Sequence, residues 1–377
     1  MSKHGKILVA MSGGIDSTVA ALLLHEQGYE VIGVTMKTWD YASSGGSKKE
    51  TGCCSLDSLQ DARRVAVDVG FHHFILDLRD DFGESVIDNF VDEYLAGRTP
   101  NPCIMCNTHI KWDALFRRAK ALECEFIATG HYARIKEGNG RHWISKATDL
   151  NKDQSYVLWG LTQDCLAKTI FPLQDLHKPE VRQIAYDRGY KDLAKKGESY
   201  EICFIPDNDY RSFLKRRAPD RLDAMKKGQF VDREGHVLGE HDGYPFFTIG
   251  QRKGLGKAFG KPMFVSAIDP ILNTVMLSDE QEMEYTEMEF GKVNWQKYPP
   301  GVYDDEFTTK IRYKDPGQIS RIESLKESVK VTFTGPVKSI APGQSAVVYE
   351  GDDLVCGGII QRSHFPTQLQ IKTVGAL

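Results

Sequence analysis

The sequence predicts an α/β fold: an N-terminal domain built on a parallel sheet, a small β-rich central domain and a C-terminal β-barrel. Three observations carry this. Residues 6–24, KILVAMSGGIDSTVAALLL, read as a buried strand, a glycine turn and an apolar helix. Up to Gly130, further apolar strands alternate with amphipathic helices, the pattern of a parallel sheet with helices on both faces. From residue 210 the texture changes to short runs of alternating apolar and polar residues between Gly, Pro and Asp turns, as half-buried antiparallel strands require. At 377 residues the chain exceeds one ordinary core. Domains are expected over residues 1–209, 210–286 and 287–377.

In order along the chain, Ile7 to Ala10 form the first strand and Thr18 to Leu24 lie in the helix after the glycine turn. Tyr29 to Met36 make the second strand, completing a βαβ unit. Residues 42–52, ASSGGSKKETG, are polar and glycine-rich and read as an exposed mobile loop. Leu56 to Gly70 has helical periodicity, Phe74 to Leu78 is a third strand, and Asp81 to Tyr94 a further amphipathic helix. A proline-rich turn leads to a helix over Lys111 to Leu122, and Phe126 to Gly130 close the pattern as a strand. Ligands of such a sheet bind at the carboxyl ends of its strands, here the loops after Ala10, Met36 and Thr129. Strands follow at 228–232, 262–269 and 273–277 in the central domain, and at 307–313, 328–333 and 345–349 in the barrel.

With 41% hydrophobic and 27% charged residues the chain is an ordinary globular protein, and no apolar run approaches the ~20 residues that span a bilayer. A strand begins almost at the N-terminus and leaves no room for a signal peptide, so a cytoplasmic location and no membrane partner are expected. Eight cysteines in that setting are expected to be mostly reduced, any disulfide being transient. The net charge of −4 argues against a generally basic nucleic-acid binder. A local cluster does stand out in RSFLKRRAPDRLDAMKKG, Arg211 to Gly228, which reads equally well as a solvated helix or as a phosphate-contacting patch.

The glycine turn carries the first chemistry. Gly13 and Gly14 let backbone N–H groups approach an anion, and the helix N-terminus beyond adds its positive dipole end. Ser12 and Ser17 offer hydroxyls without charge. The Asp16 carboxylate would repel phosphate and better suits a Mg2+ ion bridging to it. The turn lacks the Walker spacing, and no lysine follows the glycines. Cysteines carry the second. Thr99 to Asn107, TPNPCIMCN, puts Cys103 and Cys106 in a proline-stiffened loop opening a helix, where a thiol pKa is lowered. The CxxC spacing admits a zinc pair, a redox dithiol, which lacks its usual strand-to-helix aromatic-Cys context here, or one reactive cysteine with an accidental neighbour, the preferred reading. Zinc lacks a second ligand pair, since Cys53 and Cys54 are adjacent. Cys203, in ESYEICFIP, reads by itself as a buried structural cysteine, as do Cys54, Cys124, Cys165 and Cys356. His131 reads by itself as a satisfied strand-end histidine. Trp39, Tyr132 and Tyr156 are packing residues that could also stack on an extruded base.

The string SGGIDS between an apolar strand and an apolar helix resembles the PP-loop of ATP pyrophosphatases (adenine nucleotide alpha hydrolase-like), which split ATP to AMP and pyrophosphate. AMSGGIDS, GRTPNPCIMCN, ATGHYAR, KDQSYVL, EICFIPDNDYRSFL and TIGQRKGLG, in this order over most of the chain, are together similar to the tRNA-specific 2-thiouridylases. That resemblance implies ATP-dependent replacement of the O2 oxygen of the wobble uridine (U34) by sulfur in glutamate, glutamine and lysine tRNAs. It implies ATP and Mg2+ at Ala10, Met11, Ser12, Gly13, Gly14, Ile15, Asp16, Ser17, Met36 and Gly130. It places the target base at Asn101, Pro102 and Cys103, and tRNA contacts at His131, Lys152, Asp153, Gln154, Arg312, Tyr313 and Gln344. Cys203 would carry a persulfide received from a sulfur-relay protein or cysteine desulfurase. Cys106 would be the partner nucleophile, pairing transiently with Cys203 in a disulfide. A monomer is the expected state. The sequence departs from the family at one point: an aspartate, the proposed proton shuttle, commonly stands where this chain has Cys103. Two rivals are an amide-forming adenylating ligase, which would not need two reactive cysteines, and a module that holds ATP without turnover.

Overall fold

The computed structural model describes residues 2–39, 56–197, 202–205 and 207–364, the side chains of 362–364 excepted. The 42–52 loop, Cys53, Cys54 and Glu198 to Glu201 lie outside the described residues.

The N-terminal sheet holds β1 (Lys6–Ala10), β2 (Glu30–Lys37), β3 (His72–Asp77), β4 (Phe126–Thr129) and a short β7 (Thr169–Ile170), all parallel, in the order β3-β2-β1-β4-β7. Ile7, Leu8 and Val9 are fully buried, because β1 is central and both its faces are covered. Helices α1 (Ile15–Gln27) and α2 (Leu56–Val69) follow the first two strands. The strand order reverses between β1 and β4, so a crevice opens at their carboxyl ends. Four of these strands were expected. β7, two residues long, is too short to leave a periodic signal.

Two helical runs differ from expectation. The run at 79–95 contains a π-helical turn, Gly83–Asp88. The next starts at Pro102, well before the expected Lys111, and reaches Ala121 through a second π-helical turn, Cys106–Trp112. Proline is a good first helical residue, since its missing N–H would be unbonded there anyway. Cys103 and Cys106 are therefore on a helix rather than before one, and Cys106 opens a π turn, a rare geometry that concentrates at functional sites.

The central sheet, β8 (Gly228–Val231), β9 (Val237–His241), β10 (Phe264–Asp269) and β11 (Thr274–Ser278), has the order β10-β11-β8-β9. The barrel comprises β12 (Glu284–Trp295), β13 (Phe307–Lys310), β14 (Gln318–Ser324), β15 (Ser328–Lys338), β16 (Ser345–Glu350) and β17 (Asp353–His364). β12 pairs with both β15 and β17 and so closes the ring. It begins at Glu284, ahead of the expected start at 287. One further connection was not foreseen. A hairpin, β5 (Arg134–Gly138) and β6 (Arg141–Ser145), leaves the first domain and joins the barrel sheet beside β17. Lys136 and Lys297 both reach Asp353 at 2.8 Å there, which holds that carboxyl down at about 2 against the opposing effect of burial.

Candidate active site

The turn after β1 has the form that anion binding requires. Gly13 has φ +69°, and a Cβ there would fall 1.9 Å from the Ser58 carbonyl oxygen. Gly14 is the N-cap of α1 with no side-chain cap, which leaves the amides of the helix start to other acceptors. The turn is braced internally: the Ser12 N–H donates to Ser17 Oγ (3.1 Å), and Ser17 Oγ–H donates to the Gly14 carbonyl (3.1 Å). From the opposite wall, a Cβ on Gly130 would lie 2.6 Å from the Ser17 nitrogen and 2.7 Å from the Asp16 carbonyl carbon. Gly130→Ala must therefore push the end of β4 away from the start of α1. We expect ATP-dependent turnover to fall about 10²-fold, as a misplacement of about 1 Å does, with ATP affinity by calorimetry falling alongside; unchanged affinity would place the nucleotide elsewhere.

The loop's other expected residues divide. Met11 is 1% exposed, its N–H donates to the Val34 carbonyl (2.8 Å) and its own carbonyl accepts from the Thr35 hydroxyl (2.7 Å), which ties it to the sheet. The Ile15 side chain is buried in a cluster with Val19, Ala20, Val181 and Ala185, which leaves its backbone to the site. Ala10 ends β1, and Met36, near the end of β2, packs half-buried against the two largest clusters.

Two lysines that sequence reasoning missed close the crevice. Lys178 Nζ lies 2.7 Å from both oxygens of Asp16, and the Tyr132 hydroxyl donates to Asp16 Oδ1 at 2.8 Å. Lys178 is the first residue of the Lys178–Asp187 helix, placed by a capping box between His177 and Glu180 and by packing of Val181 and Ala185 on α1. Lys196 Nζ reaches the Gly13 carbonyl (3.3 Å) and Asp61 (2.9 Å). The cations missing after the glycines thus arrive from the far end of the domain. Asp16, expected as a Mg2+ ligand, is paired in this structure with the Lys178 side chain.

The two cysteines of interest meet on one hydrophobic cluster. Cys106 and Cys203, both thiols, are half-buried against it together with Met36, Trp39 and Met105. Phe204, next to Cys203, anchors that segment by ring contacts with Phe82 (5.8 Å), Phe90 (5.3 Å) and Phe213 (5.2 Å). Cys124, Cys165 and Cys356 are buried, and burial pushes each of their thiols up. At Cys103 the expected lowering is reversed. Its surface reaches solvent, yet the protein packed around it raises the thiol pKa, with the Lys111 charge opposing.

Beside Cys103 the structure gathers most of the residues expected to meet RNA. His131 is tucked between Trp112 (5.4 Å) and Phe171 (6.3 Å), with Nδ1 2.8 Å from the Thr129 hydroxyl. Burial, aided by the Lys111 charge, pushes it down to about 3. Its imidazole is therefore neutral at neutral pH. The Tyr313 hydroxyl donates to the Asp153 carbonyl (3.0 Å), Asp153 accepts from the Ser155 hydroxyl (2.7 Å), and Gln154 Oε1 accepts from the Tyr132 N–H (3.0 Å). Lys152 is half-buried and Arg312 exposed. Gln344 uses its amide N–H bonds on the Thr99 (3.1 Å) and Pro100 (3.0 Å) carbonyls, so the barrel braces the strand of chain leading into Asn101, Pro102 and Cys103. Tyr132 and Tyr156 are 2% and 0% exposed and serve packing. Among the described residues, one group of three side chains, Asp232, Glu234 and His236 on the β8–β9 turn, has its ligand atoms close enough together to hold a metal ion, and no helix is long and apolar enough to cross a membrane.

A glycine turn at the reversal point of a parallel sheet, flanked by lysines and followed by two β domains, defines a nucleotide-using α/β enzyme with an appended barrel. The chain matches the family models described as tRNA methyl transferase HUP domain over residues 5–207, tRNA methyl transferase PRC-barrel domain over 211–279 and Aminomethyltransferase beta-barrel domain over 285–360. It is 59% identical over 363 residues to the tRNA-specific 2-thiouridylase MnmA of Amoebophilus asiaticus, covering 96% of each chain. Its identity to that of Cytophaga hutchinsonii is 57% over 365 residues, covering 96% of this chain and 99% of the relative. The chain belongs to the tRNA-specific 2-thiouridylase MnmA family.

Proposed function

We propose that this protein replaces the O2 oxygen of the wobble uridine of glutamate, glutamine and lysine tRNAs by sulfur, releasing AMP and pyrophosphate. The observation that carries the reading is the placement of Cys106 and Cys203 on one cluster that also takes in Met36 from the nucleotide-binding sheet. A carbonyl oxygen is a poor leaving group. ATP seated on the backbone of Ser12 to Ser17 and against Gly130 would adenylate O2 and make it one. Asp16 would hold Mg2+ beside the phosphates, supplying charge neutralisation of pyrophosphate, with Lys178 and Lys196 as further cations.

Sulfur arrives as a Cys203 persulfide, from a relay protein or cysteine desulfurase. Two routes balance. In one, the Cys106 thiolate attacks Cys203 Sγ and expels hydrosulfide, which attacks C2 as AMP leaves. In the other, the terminal persulfide sulfur attacks C2 directly, AMP leaves, and Cys106 then cleaves the link by attacking Cys203 Sγ. Both end in a Cys106–Cys203 disulfide that a thiol must reduce. Asn101, Pro102 and Cys103 would meet the base, and His131, Lys152, Asp153, Gln154, Arg312, Tyr313 and Gln344 would line the RNA path. The protein would act in the cytoplasm as a monomer, with domains at 1–209, 210–286 and 287–377.

The test is nucleoside mass spectrometry of unmodified substrate tRNA incubated with the protein, Mg-ATP and a persulfide donor. A 2-thiouridine peak is expected; its absence despite a competent donor would sink the reading. Because a thiol pushed up in pKa is a poor proton shuttle at neutral pH, water or another group carries the proton in place of the family aspartate. Cys103→Ser should then keep turnover within about fivefold. Loss of turnover in Cys103→Ser with recovery in Cys103→Asp would show that position 103 is the shuttle.

A further inference from the structure

The stretch TIGQRKGLGKAFGKP, Thr248 to Pro262, begins with the motif TIGQRKGLG quoted above yet has no part in the chemistry just described. Its residues 250–262 carry Arg252, Lys253, Lys257 and Lys261 and no carboxylate, in a chain of net charge −4. Gly250, Gly254, Gly256 and Gly260 all have φ between +72° and +87°. Glycine alone takes that backbone readily, so the chain turns repeatedly over this short stretch. It surrounds a groove of about 540 Å³ lined by Arg252, Leu255, Lys257, Phe259, Lys261 and Met263.

The groove is fixed to the catalytic domain. Leu255 and Met263 are buried in the cluster that contains Phe204, Phe213, Leu214, Phe246 and Phe247, the same cluster on which Cys106 and Cys203 rest. The Tyr210–Arg217 helix adds to the charge. Arg211 donates to the Gly254 carbonyl (3.2 Å) with its guanidinium over the Phe247 ring (5.6 Å), and Lys215 lies over Phe246 (5.2 Å).

Nearby cations are already neutralised: Arg217 by Asp88 (3.6 Å), Arg221 by Asp92 (2.7 Å), Lys261 by Asp279 (2.9 Å). Lys215, Arg252, Lys253 and Lys257 are exposed and, among the described residues, pair with no carboxylate. Like charges held together on one loop repel one another, and a polyanion removes that cost.

We propose that this basic groove of the central domain binds the phosphate backbone of the tRNA substrate, at a distance from the base-contacting stretch at Asn101 to Cys103. The inference rests on the reading that tRNA is the substrate. The loop is fixed by Leu255 and Met263 to the same cluster that carries Cys106 and Cys203, and phosphate recognition needs only exposed cations with backbone amides. An acidic protein would be a different occupant, and the groove, with Phe259 half-buried, presents no large exposed apolar anchor to one.

The test uses the full chain with Arg252→Gln, Lys253→Gln and Lys257→Gln combined, omitting Arg211, which holds the loop. Binding of labelled unmodified tRNA is followed by fluorescence anisotropy across a series of KCl concentrations, with ATP binding measured alongside. The variant should bind tRNA about 10- to 100-fold more weakly at low salt, with the slope of log K against log salt smaller by about two to three and ATP affinity unchanged. If the triple variant fails to fold, the single substitutions decide, each lowering the slope by about one. Wild-type and variant slopes that coincide would overturn the proposal, and so would a variant that binds tRNA normally but no longer accepts sulfur from a protein donor. A wild-type protein that binds no tRNA would instead overturn the substrate reading on which it rests.

Discussion

Cys203→Ser should lower 2-thiouridine formation by at least about 10³-fold while tRNA-stimulated release of pyrophosphate stays within about threefold of wild type. A serine keeps the size and the hydrogen-bonding capacity of the thiol, but its oxygen cannot carry a persulfide. The fold has little reason to object. Cys203 is half-buried at the rim of its cluster, and the anchor of the segment is Phe204, 2% exposed and in contact with Phe82, Phe90 and Phe213. In the proposed mechanism adenylation draws on the turn after β1 and on Gly130, neither of which the substitution touches. Cys106→Ser should show the same separation, with one difference. In the direct route it would leave the thiolated tRNA attached to Cys203, and an adduct visible by denaturing electrophoresis would select that route. Cys165→Ser and Cys356→Ser should leave thiolation unchanged, since burial keeps those thiols protonated and away from reactants. Near-normal thiolation by Cys203→Ser would remove the persulfide assignment and return Cys203 to a packing role.

Much of the fold around the glycine turn was legible because it is local. The strand, glycine turn and helix of residues 6–24 lie within one stretch of chain, so their periodicity and breakers show where an anion would sit. The central sheet and the barrel announced themselves by alternation. What could not be read is what distant segments bring. Lys178 reaches Asp16 across 162 positions and Lys196 reaches Gly13 across 183, and in the sequence each is an unremarked lysine at or near a helix end. Lys178 had one available signal, the HKPE start of a capped helix, which locates the residue but not its partner. The hairpin at Arg134–Ser145 reads as part of the first domain because nothing local says that its edge pairs with β17. Cys103 shows the limit of local electrostatics. Position at a helix start argues for a lowered thiol pKa, and the protein packed around it, invisible in the sequence, reverses the sign.

The Lys178–Asp16 pair raises the question of whether the two residues serve each other or the nucleotide, and two variants separate the answers. Lys178 has 8% of its side chain exposed and Asp16 33%, so the pair is only partly withdrawn from water. Lys178→Met would leave the carboxylate with the Tyr132 hydroxyl as its remaining strong partner in the structure described. Breaking a fully buried pair costs roughly 3–5 kcal/mol; solvent at Asp16 screens the loss, and about 1–3 kcal/mol is the reasonable expectation. Catalysis should suffer more, because an ammonium ion aimed at the helix start is lost from where pyrophosphate charge develops, and a fall in kcat/KM for ATP of about 10²–10³ is expected. Asp16→Asn combined with Lys178→Met removes both charges and should recover most of the unfolding midpoint in urea. If the residues existed only to satisfy one another, the same double variant would also recover adenylation. We expect that it will not: stability returns and turnover stays low, as it must if Asp16 and Lys178 each face the phosphates in the nucleotide site proposed above. Recovery of both together would make the pair a structural bond, and the nucleotide would then depend on the backbone amides and Lys196 alone for its charge.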